Sequence, residues 1–86
     1  MNENKVMMYG TNACPFCVAA RSLLQSKGVD WDEVLIDVHP ERRAEMIAKT
    51  QRHTVPQIFI GDHHVGGFDD LQALDQAGRL DALLQP

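Results

Sequence analysis

The strongest constraint on the fold is the segment Cys14-Pro15-Phe16-Cys17, lodged between a short apolar run and a helical stripe. The run Lys5-Val6-Met7-Met8-Tyr9 is stopped by Gly10 and reads as a buried strand. Thr11 to Ala13 make a loop, and Pro15 stands where its fixed φ suits the first residue of a helix. Phe16, Ala20, Leu23 and Leu24 then recur at the spacing of an amphipathic helix, with Gly28 as its C-terminal cap.

A second strand is expected within Trp31 to Val38, centred on Val34-Leu35-Ile36. Strand, helix, strand in that order implies a right-handed crossover and parallel pairing. Pro40 is expected to open a second helix in which Ala44, Ile47, Ala48 and Gln51 keep the helical spacing while Glu41, Arg42, Arg43, Glu45 and Lys49 mostly face water. Val55 to Ile60 reads as a third strand, and Gly61-Asp62 as a hairpin turn into His63-His64-Val65. After Gly66-Gly67, Asp69 or Asp70 is expected to cap a helix that carries Leu71 and Leu74 and ends at Gly78. A last short helix puts Leu80, Leu83 and Leu84 on one face. The expected architecture is α/β: βαβαββα plus a short C-terminal helix, a mixed four-stranded sheet with flanking helices, forming a single domain over residues 1–86.

Composition narrows the function. Eighty-six residues allow one core. A net charge of −4 argues against nucleic acid as the main partner, because phosphate binding needs a dense basic face. No apolar run approaches the roughly 20 residues that span a bilayer, so no membrane partner is expected. Met1-Asn2-Glu3-Asn4-Lys5 lacks the basic-then-apolar layout of a secretory leader, so a reducing cytoplasm is the expected setting, and a monomer the expected state. The two cysteines, Cys14 and Cys17, are too few and too close to staple a scaffold.

Their chemistry follows from their location. A sulfur at a helix N-terminus meets unpaired backbone N–H groups and the positive end of the helix dipole, which favour its thiolate and make it a nucleophile. Cys14 should be exposed at the tip, whereas Cys17 shares the inward face with Ala20 and Leu24 and reaches only toward Cys14. One attacking and one resolving thiol perform thiol–disulfide exchange. Half of a zinc site is the competing reading, but zinc needs four ligands and no second cysteine pair exists. The four histidines are scattered: His63 and His64 alternate on a strand, His53 follows a helix C-terminus, and His39 precedes Pro40. No metal is expected. Trp31, Met7, Met8 and Met46 read as core or strand-face residues.

With Cys14-Pro15-Phe16-Cys17, Thr54-Val55-Pro56-Gln57-Ile58-Phe59-Ile60 and Gly66-Gly67-Phe68-Asp69-Asp70 in this order and spacing, the chain resembles the glutaredoxins from about Lys5 to Leu84. Within them it is most similar to the bacterial dithiol class with a C-P-Y-C centre. The resemblance implies a thioredoxin fold and glutathione as reductant and cosubstrate. It implies disulfide-bonded or glutathionylated proteins as partners. It also implies a cis peptide before Pro56, against the ordinary preference for trans. Val55 would offer its backbone to the cysteinyl part of glutathione, flanked by Thr54, Pro56, Thr11 and Phe16. Gly67 would allow close approach, and the helix start at Phe68 and Asp69 would take the γ-glutamyl carboxylate. Asp69 or Asp70 would meet the ligand's ammonium group, or serve only as a cap. Arg43 matches the position that reaches the glycyl carboxylate, or is a solvated helix charge.

The chain departs from its relatives at three positions. Thr11 stands where many carry lysine, which removes a cation beside the nucleophile. Phe16 replaces the usual tyrosine, and Phe68 stands where several relatives have cysteine. Two other functions on the same scaffold are expected to rank lower. One is a carrier of an iron–sulfur cluster shared by two protomers, disfavoured by the stiffness of Pro15. The other is a redoxin fed by thioredoxin reductase, which should lack the glutathione grip of Arg43, Gly67 and Asp69.

Overall fold

A computed structural model describes residues 5–85. The leader expectation rests largely on Met1–Asn4, which lie outside the described residues. Four strands form one mixed sheet: β1 (Val6–Gly10), β2 (Trp31–Leu35), β3 (Gln57–Ile60) and β4 (His63–Gly66), in the spatial order β2-β1-β3-β4. β1 pairs parallel to β2 and antiparallel to β3, so the crossover through helix α1 (Pro15–Ser26) has the expected consequence. Helix α2 (Arg43–Thr50) precedes β3, and α3 (Phe68–Gln76) and α4 (Leu80–Leu84) close the chain.

Alternation along β1 sends side chains to both faces of the sheet. Val6 and Met8 pack with Ala20 and Leu24 of α1, Leu71 of α3 and Leu80 of α4. Tyr9 packs on the other face with Ile36 and with Met46 of α2. The sheet is therefore covered on both sides, with α1, α3 and α4 on one and α2 on the other. Gly28 and Gly78 adopt φ of +71° and +72° just past α1 and α3, the left-handed turn for which a glycine is best suited.

Four local expectations are corrected. Pro40 opens a 3₁₀ turn over Pro40–Arg42, and the α-helix starts only at Arg43. The buried face of α2 is Met46 and Thr50; Ala44 and Ala48 are exposed, because their spacing fits a helix but not the side that meets Tyr9. β2 ends at Leu35, although the Ile36 N–H still reaches the Gly10 carbonyl at 2.9 Å. β3 starts at Gln57 rather than Val55, since Pro56 has no N–H to give a ladder and its peptide bond with Val55 is cis.

Candidate active site

Cys14 is the N-cap of α1, with φ −88° and ψ 118°, and its carbonyl accepts the first helical bond from the Val18 N–H at 3.0 Å. Pro15 occupies the first turn, where a missing N–H costs nothing. The sulfur thus stands at the positive end of a twelve-residue helix. Cys14 is half-buried rather than fully exposed, and Cys17 is fully buried beside Ala20 and Leu24; both are free thiols. Burial pushes the Cys17 thiol up to about 11, against the opposing pull of the Thr11 backbone. Of the two, only Cys14 is accessible to a partner.

The Cys14 thiol donates to the Val55 carbonyl at 3.7 Å, which brings the loop before β3 against the cysteine segment. A groove of about 270 Å³ opens there. Thr54, Val55 and Pro56 form its floor, Phe16 and Phe68 one wall, and Gly67 with Asp69 and Asp70 the far end. The Phe16 and Phe68 rings stack with centroids 6.4 Å apart, and Phe16 stays largely exposed. Thr11 and Arg43 do not line the groove among the described residues. The Thr11 carbonyl instead accepts from Arg21 at 2.8 Å, and Arg43 donates to the His53 carbonyl at 2.8 Å, bracing the loop that carries Thr54.

The N-cap of α3 is Gly67, not Asp69 or Asp70. The Asp70 carboxylate reaches back from the first turn to accept from the Gly67 N–H at 3.0 Å, and the same oxygen takes Arg52 at 3.0 Å. The Arg52 hydrogen bond, then the one from Gly67, holds the Asp70 carboxyl below its ordinary range. This close packing explains Gly66: its φ is +116°, and a Cβ there would lie 2.3 Å from Asp70 Oδ2. Asp69 remains exposed with its carboxylate free to face a ligand.

Two contributors escaped the sequence reading. Arg52 puts the groove's only cation among the described residues at its edge. Gln57 is fully buried; its Nε2 donates to the Thr54 carbonyl at 3.0 Å, and its Oε1 lies 2.8 Å from His64 Nε2. It anchors the floor from below. A polar residue in an otherwise apolar strand, next to Pro56, was the available signal.

No three side chains of His, Cys, Asp or Glu converge as a metal-binding group among the described residues, and no helix there is long and apolar enough to cross a membrane. Comparison with known proteins addresses the chemistry. The glutaredoxin family model matches residues 6–65. A glutaredoxin of Pseudomonas aeruginosa is 57% identical over 79 residues, spanning 92% of this chain and 94% of that protein. Glutaredoxin 3 of Escherichia coli is 51% identical over 80 residues, spanning 93% and 96%. The crystal structure of a buckwheat glutaredoxin–glutathione complex superimposes with a TM-score of 0.87 at 26% identity, covering 96% of this chain and 78% of that one. With its paired cysteines at the start of α1, the chain belongs to the glutaredoxin family and is a thiol–disulfide oxidoreductase with the thioredoxin fold.

Proposed function

We propose that the reductant is glutathione, and that the chain removes glutathione from mixed disulfides and reduces protein disulfides. The observation that carries this reading is the 3.7 Å approach of Cys14 Sγ to the Val55 carbonyl at the edge of the groove. Because Val55 lies outside the β3 ladder, its backbone can pair with a short extended peptide, which glutathione is. Thr54 and Pro56 flank that peptide, and Phe16 and Phe68 cover its apolar side. The N–H groups at the start of α3, around Phe68 and Asp69, suit its γ-glutamyl carboxylate, and Gly67 lets the backbone come close. The Asp69 carboxylate suits the ammonium group. Arg52, paired with Asp70 at the α3 end, adds a cation beside the γ-glutamyl carboxylate, while Arg43 supports the loop that carries Thr54. Glutathione captured in the related buckwheat complex supports the assignment.

The Cys14 thiolate attacks the glutathione sulfur of a mixed disulfide. The Cys14–glutathione bond forms, the old disulfide breaks, and the substrate sulfur takes a proton and leaves as a thiol. A second glutathione thiolate attacks this intermediate, releasing oxidised glutathione and the Cys14 thiolate. On a protein disulfide, Cys14 attacks first; Cys17 then closes the Cys14–Cys17 bridge, which two glutathiones reopen. The same reading takes the chain as a monomer working in a reducing cytoplasm, where a dithiol of this kind is kept available for exchange. Turnover of a glutathionylated peptide tests the reading: Cys14→Ser should abolish it and Cys17→Ser should spare it. Full turnover by Cys14→Ser would overturn it.

A further inference from the structure

Behind the cysteine segment lies an ion pair that the groove does not use. Arg21 follows Cys17 by one turn of α1, and its Nε lies 3.0 and 3.1 Å from the two carboxylate oxygens of Glu33 on β2. Its Nη2 donates to the Thr11 carbonyl at 2.8 Å, in the loop that leads to Cys14. Trp31 Nε1 holds Glu33 from the other side at 3.0 Å. The pair is mostly shielded from water, with the two side chains 25% and 16% exposed.

Gly10 leaves room for this pair beside the buried sulfur. A Cβ built on Gly10 would lie 3.2 Å from Glu33 Oε2, 3.3 Å from Cys17 Sγ and 3.4 Å from Arg21 Nη2. The buried sulfur, the guanidinium and the carboxylate thus crowd one point at the end of β1, in space left open by the missing side chain. A strut between α1 and β2 would need neither the reach to Thr11 nor this convergence on the sulfur.

We propose that Arg21, held by Glu33, is a positioning residue for the resolving step: it places positive charge beside Cys17 Sγ and fixes the loop that presents Cys14. This rests on the assignment of Cys14 as nucleophile and Cys17 as resolver. In that step Cys17 gives up its proton as its sulfur bonds to Cys14 Sγ. The bond from Cys14 to the substrate breaks, and the departing sulfur takes a proton and leaves as a thiol. A buried thiolate is costly, and a cation held at the site offsets the cost. The groups facing Cys17 are Cys14 on its own helix end, Arg21 one turn on and Glu33 from β2, with Asp37 farther out beside Glu33. Burial raises the Cys17 thiol; the Thr11 backbone, which Arg21 itself holds, opposes it most, and the Arg21 charge adds to that opposition in smaller measure. Burial also works against the Glu33 carboxylate, but the hydrogen bonds from Arg21 and Trp31 outweigh it, so Glu33 stays ionised and keeps its hold.

Mixing the reduced full chain with dithiobis(nitrobenzoate) separates the two steps, because Cys14 attack releases one thionitrobenzoate and closure by Cys17 releases a second. Cys14→Ser should lose the first phase and Cys17→Ser only the second; any other pattern breaks the underlying assignment before Arg21 is tested. Raising a thiol pKa by one unit cuts its thiolate about tenfold and raises its nucleophilicity about threefold, so the second phase slows roughly threefold per unit near neutrality. Arg21→Gln should therefore slow the second phase about threefold relative to the first at neutral pH, a deficit that persists until pH nears the Cys17 value of about 11 and shrinks only there. Glu33→Gln, which leaves the Arg21 charge uncompensated, should move the second-phase pH profile the opposite way. Equal slowing of both phases at every pH by Arg21→Gln, or an unmoved second-phase profile in Glu33→Gln, would overturn the proposal.

Discussion

The sulfur of Cys14 lies 3.7 Å from the carbonyl oxygen of Val55, although 41 positions separate them in the chain. That contact joins the start of α1 to the loop before β3, beside the groove in which we propose that glutathione binds. The loop is free to serve because Pro56 cannot extend the β3 ladder, and because Gln57, one residue on, is buried and fastens Thr54 from beneath.

Gly66→Ala tests how tightly the far end of the groove is built. Positive φ at a residue with a side chain costs about 1–3 kcal/mol, and here the added Cβ also displaces the Asp70 carboxylate from the cap of α3. Denaturant titration should show a loss of at least that size.

Arg52→Ala separates binding from chemistry. Its pair with Asp70 is half-exposed, so global stability should change by less than about 1 kcal/mol. The KM for a glutathionylated peptide should rise about fivefold with kcat nearly unchanged, because in the proposed binding mode the cation meets the ligand's end and not the reacting sulfurs. Steady-state kinetics on the variant check this.

His64 gives the fold an acid-side sensitivity. Its ring stacks on Phe59 with centroids 4.9 Å apart, and Nε2 lies 2.8 Å from Gln57 Oε1. Burial, then the nearby Arg52 charge, lowers its pKa from the ordinary 6.5. A histidine with a lowered folded-state pKa stabilises the fold fully above its unfolded value and loses that contribution as pH falls through the folded value. The Asp70 carboxyl, also lowered, acts in the same sense at still lower pH. The thermal midpoint should fall as pH drops from about 7.5 to 5, and His64→Gln should flatten that decline.

Local features were the legible ones. Pro15 after a glycine-stopped strand announced the start of α1, Ala20 and Leu24 with Cys17 marked its inner face although Phe16 of the same stripe is exposed beside the groove, and Gly61-Asp62 set the hairpin. The cis peptide at Pro56 came only through family resemblance, since local preference points to trans. What stayed hidden depends on pairing between distant segments. The side of α2 that is buried is decided by Tyr9 across the sheet, so Ala44 and Ala48 misled. Arg52 meets Asp70 across 18 positions and Arg21 meets Glu33 across 12, and charged residues alone do not declare their partners. Gly67 caps α3 because Asp70 folds back on it, which a reading that favours aspartate at the cap position itself reverses.

The reductant is the central claim, and one comparison tests it most directly. With a disulfide-bonded protein substrate, the chain is supplied either with glutathione and glutathione reductase or with thioredoxin reductase, NADPH driving both. Turnover with glutathione and little or none with thioredoxin reductase is the predicted result. Efficient turnover with thioredoxin reductase and none with glutathione would contradict the account, since the groove beside Cys14 would then serve something other than the tripeptide.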